Sequence, residues 1–376
     1  IIQNTRRFGN LTGYEVSKRM LEQLGNPQCG IPFVHVAGTN GKGSTTAFLC
    51  KILEQTGKKV GMFTSPHLIT FEERIRINGT YISKEDVTRL GNLLLDMQFD
   101  VSPTMFDYCL AMAVLYFKEQ ACDIMVMETG IGGRYDSTNA LGVPEVAIIT
   151  KIGFDHMGVL GNTLEEIAEE KAGIIKPHTP IIIGEHNEET RPVFEAEATE
   201  KQAPIIFAQE SPMVVSKGGG ADYDIYQTTS YKDLQVALRG YCQEKNVNTL
   251  LHAIGELQRI GYNIDESAVR EGFAHVCQLT GLMGRWQQLS ASPRLICDTG
   301  HNIGGFQYIV PQILAQSCKQ LRIVFGMVND KDINAVLALM PKHAIYYFAQ
   351  ASVARALPSQ ELQALAAKHE LHGSTY

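Results

Sequence analysis

A glycine-rich loop between an apolar run and an amphipathic stretch restricts the possible folds of this chain more than any other feature. The apolar run is Phe33–Ala37, and the loop is Gly38-Thr39-Asn40-Gly41-Lys42-Gly43-Ser44-Thr45. Glycines let backbone N–H groups curl around phosphate oxygens, a lysine adds positive charge, and the N-terminus of the following helix contributes its dipole. The sequence therefore predicts a strand, a nucleoside triphosphate loop and a helix that runs to about Gln55.

The spacing of this loop departs from the general pattern G-x-x-x-x-G-K-[ST]. The loop is shorter, and Gly43 stands between Lys42 and Ser44. A glycine-rich turn with an incidental lysine is the alternative interpretation. The strand before the loop and the helix after it favour the nucleotide site, in which a hydroxyl of Ser44 or Thr45 approaches Mg²⁺ or a phosphate.

Short apolar runs alternate with amphipathic stretches along the chain, which is typical of an α/β protein with a largely parallel sheet. Further strands are predicted at 59–63, 124–127, 146–149, 180–183, 294–297, 321–325 and 345–348, a hairpin or loop at 216–226, and a helix at about 246–260. The periodicity is lost around Gly281 and Gly284, which predicts a domain boundary. We expect a P-loop NTPase-like domain with a mostly parallel sheet at 1–280 and a smaller Rossmann-like α/β domain at 281–376.

The composition and charge of the chain exclude several classes of protein. The net charge of −7 and the lack of any basic run argue against a nucleic-acid-binding surface. No apolar stretch approaches the ~20 residues that a membrane span needs. The 8 cysteines form no C-x-x-C pair, so free thiols in a reducing compartment are expected rather than a disulfide or metal framework. We infer a cytoplasmic location, with neither nucleic acid nor membrane as a partner.

Several sequence blocks, in order along nearly the whole chain, carry a resemblance to a known family. After the phosphate loop they are TSPHL at 64–68, ETGIGGRYDSTN at 128–139, DHMGVLG at 155–161, EKAGIIK at 170–176, GYCQEKN at 240–246, GRWQ at 284–287, DTGHN at 298–302 and DKD at 330–332. Together they resemble the folylpolyglutamate synthase and dihydrofolate synthase family, relatives of the Mur peptidoglycan ligases. The departures are Tyr135, Thr299-Gly300 and Ile303, which leave the charged residues intact. Beside that family the chain looks clipped at both ends.

The resemblance implies an ATP-dependent ligase that activates a carboxylate as an acyl phosphate and joins it to L-glutamate. It implies that Ser65, Glu128 and His156 hold one Mg²⁺, and that Lys171 carries a carbamate that ligates a second. Lys42, His156 and Lys171 would be the catalytic residues. Without the resemblance, Glu128 would be a strand-end carboxylate in a salt bridge, His156 a core histidine and Lys171 a solvated helix lysine.

The resemblance also assigns nucleotide and substrate contacts. Asn246 matches an adenine contact, Arg285 a phosphate contact, and Asp298 and His301 a nucleotide-binding pair at the carboxyl end of a strand. Candidate folate contacts are Pro66, His67 and Phe71, in a loop over the folate, although Phe71 reads equally well as a core residue. Lys331 in the DKD block reads equally well as a surface charge and is left out of the predicted site.

Two other functions share the phosphate loop. One is a different Mur-type ligase that joins an amino acid to a nucleotide-sugar peptide. The other is a P-loop kinase or NTPase that forms no amide bond. The blocks at 64–68 and 128–139 favour the folate branch, with a folate or dihydropteroate and L-glutamate as small-molecule substrates, and we expect a monomer. The sequence does not distinguish between the two acceptors.

Overall fold

The largest sheet in the chain has eight strands, of which six are parallel. The computed structural model describes residues 13–219, 223–353 and 355–376, without the side chains of residues 278 and 279. The eight strands are β1 (Phe33–Ala37), β2 (Val60–Phe63), β3 (Ile75–Ile77), β4 (Thr80–Tyr81), β5 (Ile124–Glu128), β6 (Val146–Ile149), β7 (Ile181–Ile183) and β8 (Ile205–Phe207). Their order is β4-β3-β2-β5-β1-β6-β7-β8, with β3 and β4 antiparallel to their neighbours. The predicted mostly parallel sheet is confirmed.

Helices cover both faces of this sheet. The helices of the described residues are α1 (Gly13–Gln23), α2 (Lys42–Gln55), α3 (Lys84–Asp96), α4 (Met105–Glu119), α5 (Met157–Leu160), α6 (Leu164–Ala172), α7 (Arg191–Lys201), α8 (Gln243–Arg259), α9 (Glu266–Thr280), α10 (Ile303–Leu314), α11 (Ile333–Leu339) and α12 (Ser359–Ala367). In the part of the chain that the structure describes, short 3₁₀ turns lie at Phe71–Arg74, Ser137–Leu141 and Ala208–Glu210.

The burial of the strands explains their continuous apolar runs. Successive residues of a strand point to opposite faces. Val34 and Val126 pack with α2, α8 and α9 on one face, while Met125 and Met127 pack with α1 and α4 on the other. Because both faces are covered, every position of β1 and β5 is buried. The alternation of the chain between strand and helix follows from this layering.

Smaller sheets complete the structure. They are the antiparallel β9 (Val214–Gly219), β10 (Asp224–Thr228) and β11 (Leu234–Val236), the antiparallel pair β12 (Gln287–Ala291) and β13 (Arg294–Cys297), and the parallel β14 (Arg322–Phe325), β15 (Ile345–Phe348) and β16 (Gly373–Thr375). The hairpin predicted at 216–226 corresponds to β9 and β10, although its residues 220–222 lie outside the described residues. A separate apolar cluster joins β14–β16 to α10, α11 and α12.

One strand differs from the sequence prediction. Residues 294–297 were expected to open the sheet of the second α/β unit, but β13 pairs antiparallel with β12. Only Ser292 and Pro293 separate the two strands, so the chain reverses at once into a hairpin. Upstream, α9 ends at Thr280 and β12 begins at Gln287. The division into domains 1–280 and 281–376 stays a prediction.

Two global features concern the cysteines and the length of the helices. All eight cysteines are free thiols, and Cys50, Cys109 and Cys122 are buried. In the described part of the chain, no helix combines the length and the apolar character that crossing a membrane requires.

Candidate active site

The phosphate loop lies at the carboxyl edge of the parallel sheet, between β1 and α2. Gly38 has a φ of 141° and Gly41 a φ of 92°, in the left-handed region that residues with a Cβ rarely adopt. The first N–H groups of a helix have no intrahelical acceptor, and no side chain caps α2. The loop therefore presents backbone donors and a helix dipole at the position where a phosphate would sit.

A close contact between this loop and α8 is made at Gly41. A Cβ added at Gly41 would lie 2.5 Å from Asn246 Oδ1, which is a steric clash unless Asn246 moves. Asn246 is buried on α8, and its Nδ2 donates to Gln243 Oε1 at 2.9 Å. Glycine thus lets α8 approach the loop, which places the predicted adenine contact beside the predicted phosphate site.

We expect Gly41→Ala to weaken ADP binding at least about tenfold, because the new methyl group pushes Asn246 away from the loop. Gly57→Ala is the matched control. Gly57 also has a positive φ, of 84°, beyond the other end of α2, but a Cβ there meets nothing within 4 Å. Both variants carry similar backbone strain. Calorimetric titration with ADP separates the two effects, and equal affinities of the two variants would contradict the role of this contact.

Two lysines converge on one backbone carbonyl of the loop. The Lys42 ammonium donates to Gly38 O at 2.9 Å, and the Lys171 ammonium, from α6, donates to the same oxygen at 3.1 Å. Lys171 is only 3% exposed, so it is not the solvated helix lysine of the alternative interpretation. Burial, with the nearby Lys42 charge, lowers the pKa of Lys171 to about 7. A neutral amine is therefore accessible near physiological pH.

Three further predicted residues end or follow neighbouring strands at the same edge. Glu128 is the last residue of β5, Ser65 follows β2, and His156 follows β6. The carboxyl ends of parallel strands meet at one edge of an open sheet, where ligands bind. Glu128 Oε2 accepts a hydrogen bond from the Ser65 backbone N–H at 3.1 Å. Ser65 and Glu128 are far apart in sequence and are neighbours in space because β2 and β5 are adjacent.

Glu128 is a buried carboxylate beside positive charge. It is 4% exposed, and burial raises the pKa of its carboxyl, while Lys42 and Arg285 oppose that rise. A Cβ added at Gly43 would lie 3.5 Å from Arg285 Nη2 and 3.8 Å from Glu128 Oε2. The start of α2, the carboxylate and the guanidinium therefore meet at one point.

His156 has an unusual backbone conformation and a neutral ring. Its φ is 52°, in the left-handed region, and its backbone N–H donates to Asp155 Oδ1 at 2.9 Å. Burial lowers the pKa of His156 to about 4, helped by the charges of Lys331, Lys42 and Lys171 and opposed by Asp155. A neutral imidazole keeps a lone pair free, which a metal ligand needs.

The residues present fit a divalent cation that also takes phosphate oxygens. No cluster of three His, Cys, Asp or Glu side chains able to share an ion occurs among the described residues. Glu128 and His156 supply two such groups, and Ser65 lies beside Glu128. Mg²⁺ normally keeps waters and substrate phosphates and takes only one or two carboxylates from protein. Thr45 Oγ1, in the loop, is buried without a hydrogen-bond partner, which also suits a phosphate or its ion.

The remaining predicted nucleotide contacts come from residues after 281. Arg285 Nη1 donates to the backbone oxygen of Gly284 at 3.2 Å and also to Thr299 Oγ1. Asp298 accepts from the Trp286 and Gly300 N–H groups, each at 2.8 Å, and burial raises the pKa of its carboxyl. Asp298 therefore stabilises the backbone next to Arg285 by these hydrogen bonds. A cleft of about 1050 Å³ opens beside Arg285, Trp286 and Tyr241.

The candidate folate contacts differ in exposure. Pro66 is exposed, and His67 is half-buried, with Nδ1 accepting from Arg74 Nε at 2.9 Å. Burial and the Arg74 charge lower the pKa of His67. Phe71 is 9% exposed and packs in the apolar core with α1 and α4, so its burial favours the core interpretation. A folate contact by Pro66 or His67 stays a prediction.

Sequence reasoning missed three residues of this site. Asp155 and Asn302 were quoted only within their blocks, and Lys331 was left out as a surface charge. Instead, the Lys331 side chain is 6% exposed and pairs with Asp155, which is 5% exposed. Asn302 Nδ2 donates to Asp155 Oδ2 at 2.9 Å, and His301 Nε2 lies 3.3 Å from the same oxygen. The sequence signal that could have identified them is their position inside the family blocks at 155–161, 298–302 and 330–332.

Comparisons with known proteins agree with this geometry. The Mur ligase middle domain family matches residues 36–256. The dihydrofolate synthase/folylpolyglutamate synthase of Bacillus subtilis (strain 168) is 35% identical over 380 residues, covering 95% of this chain and 86% of the relative. The enzyme of the same name from Escherichia coli (strain K12) is 34% identical over 310 residues, covering 82% of this chain and 70% of the relative.

Solved structures give the same result. E. coli FolC in complex with DHPP and ADP has a TM-score of 0.85 at 30% identity, covering 100% of this chain and 87% of that one. Mycobacterium tuberculosis folylpolyglutamate synthase complexed with ADP has a TM-score of 0.89 at 27% identity, covering 98% and 86%. A bifunctional folylpolyglutamate synthase/dihydrofolate synthase with Mn, AMPPNP and L-glutamate bound has a TM-score of 0.81 at 27% identity, covering 100% and 87%.

Sequence and structure thus agree over most of the chain and over most of the length of each of these relatives. The phosphate loop, the buried Lys171 and the strand-end Glu128 all lie within the matched middle domain. The chain belongs to the dihydrofolate synthase/folylpolyglutamate synthase family of ATP-dependent Mur-type ligases.

Proposed function

We propose that this chain adds L-glutamate to a folate, to dihydropteroate or to both, through an acyl phosphate and with ATP as the phosphoryl donor. The observation that carries the proposal is the meeting of Lys42, Lys171 and Glu128 at the phosphate loop, with Lys42 and Lys171 sharing Gly38 O. The relatives that bind ADP, DHPP, AMPPNP and L-glutamate support the choice of substrates. We also propose a monomer in the cytoplasm.

The chemistry requires two anions to approach each other. In the first step, an oxygen of the acceptor carboxylate attacks the γ-phosphorus, the bond to the β-bridging oxygen breaks, and ADP leaves. In the second step, the neutral amine of L-glutamate attacks the acyl carbon, the C–O bond to phosphate breaks, and the amine loses a proton. The developing charge falls on phosphoryl oxygens in the first step, and on the acyl oxygen and then the leaving phosphate in the second. Positioning and positive charge therefore account for most of the catalysis.

The residues of the loop and cleft divide this work. The Lys42 ammonium and the α2 N-terminus stabilise the transferring phosphoryl group. The Arg285 guanidinium approaches the start of α2 from the segment after 281. Asn246, buried on α8 beside Gly41, is assigned the adenine contact, and Asp298 and His301 are assigned nucleotide contacts from the segment after 281. Each of these roles stays a proposal.

Ser65, Glu128 and His156 would hold one Mg²⁺, and a carbamate on Lys171 would hold a second. Bound Mg²⁺ supplies the positive charge that lets carboxylate and γ-phosphate approach. The neutral imidazole of His156 and the near-neutral pKa of Lys171 support this assignment. The carbamate also supplies the reason for burying a lysine so deeply, since a carbamate is an anion and an ammonium at that point would repel Lys42.

The function is tested with ATP, Mg²⁺ and L-glutamate, offering a folate or dihydropteroate as acceptor in separate reactions. The expected result is ADP release that requires both acceptor and glutamate, together with a product heavier by one glutamyl unit in mass analysis. The acceptor that gives this product identifies the substrate. ADP release that needs neither acceptor nor glutamate would instead favour a P-loop NTPase, and a product with another amino acid would favour a different Mur-type ligase.

A further inference from the structure

One buried carboxylate, outside the predicted site, joins the matched middle domain to the segment after 281. Asp155 follows β6 in the matched middle domain, whereas its three side-chain donors all come from the segment after 281. Lys331 pairs with Asp155 Oδ1, and Asn302 Nδ2 donates to Asp155 Oδ2 at 2.9 Å. His301 Nε2 lies 3.3 Å from Asp155 Oδ2. Both carboxylate oxygens of Asp155 are therefore engaged by residues of the segment after 281.

The charge of this carboxylate is well compensated. Burial opposes ionisation, but the hydrogen bonds from His301, Lys331 and Asn302 hold the pKa of Asp155 well below its usual range. The Lys331 and Asp155 side chains are only 6% and 5% exposed. An ion pair so shielded from water is screened little by salt and loses much when one partner is removed. An exposed charge pair of the same segment, such as Lys342 with Glu370, is screened by water and salt and contributes little.

The same network reaches the phosphate loop. Asn40 Nδ2, in the loop, donates to Asn302 Oδ1 at 3.0 Å. Asn302 is also the N-cap of α10, because its Oδ1 accepts from the Gly305 N–H at 3.0 Å. Asn302 thus joins the loop, Asp155 and the first turn of α10. A shift of α10 would move the loop amide and Asp155 together.

The network also fixes the residue next to Asp155. Asp155 Oδ1 accepts from the His156 backbone N–H at 2.9 Å, and His156 holds a left-handed backbone with a φ of 52°. Such a conformation persists only where the surroundings impose it. The carboxylate that binds Lys331 therefore also holds the backbone of the candidate metal ligand. The Asp155 side chain therefore contributes both to the docking of the segment after 281 and to the orientation of His156.

We propose that Asp155 and Lys331 form an interdomain anchor, which docks the segment 281–376 against the phosphate loop and thereby sets the position of His156. Both are positioning residues, because their charged groups face each other rather than the cleft. The proposal rests on the proposed ligase function only for its kinetic readout. Its structural readout, the closure of the two segments, is independent of any substrate.

The anchor is tested with Lys331→Met, Asp155→Asn and the double variant, after thermal unfolding shows that each folds. The control is Lys342→Met, which removes an exposed pair with Glu370 from the same segment. Small-angle X-ray scattering of the substrate-free proteins is expected to give a larger radius of gyration for both single variants than for wild type or the control. The kcat of each single variant is expected to fall about tenfold with KM for the acceptor little changed, within the range of coupled buried pairs.

The double variant distinguishes an anchor from two independent roles. An anchor predicts that the double variant loses no more activity than the worse single variant, since one interaction is removed in each case. Additive losses, with scattering profiles that match wild type, would overturn the proposal and would indicate that Lys331 contacts a substrate. Open scattering profiles in a protein that shows no ligase activity at all would keep the anchor and reject the proposed function.

Discussion

Lys42→Ala is expected to lower kcat by on the order of 10²–10³, the loss that follows removal of a preorganised donor to a transition state. Lys42 is the first residue of α2 and its ammonium lies 2.9 Å from Gly38 O, at the loop proposed to bind the transferring phosphoryl group. The charge on the phosphoryl oxygens is greatest in the transition state, so kcat should fall more than the affinity for ADP. Steady-state rates of ADP release and calorimetry with ADP measure the two quantities separately.

Lys58→Ala provides the control for this variant. Lys58 lies beyond the far end of α2, where its ammonium is 5.5 Å from the centre of the Tyr262 ring. The Lys58→Ala variant also removes one positive charge, but at a position away from the carboxyl edge of the sheet. Its kcat should stay close to that of the wild-type enzyme. A Lys42→Ala enzyme with near-normal turnover would contradict the assigned role of the loop lysine.

Lys171→Met is expected to lower kcat by on the order of 10², because it removes the anion proposed to ligate the second Mg²⁺. The wild-type enzyme, incubated with ¹³C-bicarbonate, should show a carbamate carbon by NMR that the variant lacks. In that reaction the neutral Nζ attacks the carbon of CO₂, a new N–C bond forms, one C=O bond becomes C–O⁻, and a proton leaves to solvent. NMR in solution is preferred because a carbamate is readily lost in mass spectrometry.

The pH dependence of this signal has a definite sign. The pKa of Lys171 is lowered to about 7, so the reactive neutral amine is the minority form below that pH and the majority form above it. At constant dissolved CO₂, the carbamate signal should therefore grow between about pH 6 and about pH 8. An ordinary exposed lysine would stay protonated throughout this range.

Lys176→Met tests whether the signal belongs to Lys171. Lys176 follows on the same segment, its ammonium donates to Gly173 O at 3.1 Å, and burial lowers its pKa as well. This variant should keep both the ¹³C signal and kcat. A wild-type enzyme in which Lys171 remains a free ammonium near neutral pH, with bicarbonate and Mg²⁺ present, would rule out the carbamate.

Much of the fold and part of the site were accessible from the sequence because local patterns encode them. The strand Phe33–Ala37 and the helix ending at Gln55 have the predicted bounds, since an unbroken apolar run and a capping glycine at Gly57 mark them. The sequence predicted the strand β13 but not its hairpin with β12, because an apolar run does not show which strand it pairs with. The Lys331 contact was missed because a DKD triplet looks the same in solvent and in a cleft.

The sequence by itself determined the α/β class, the phosphate loop and the family, because glycines, periodicity and ordered blocks are local properties of the chain. Only the tertiary structure decided that Lys171 is buried against Gly38 O and that Lys331 pairs with Asp155. Burial and charge pairing depend on which elements become neighbours, and residues 155 and 331 meet only when the segment after 281 packs on the edge of the sheet. The chemistry of a lysine follows from that packing, since desolvation and neighbouring charges set its protonation.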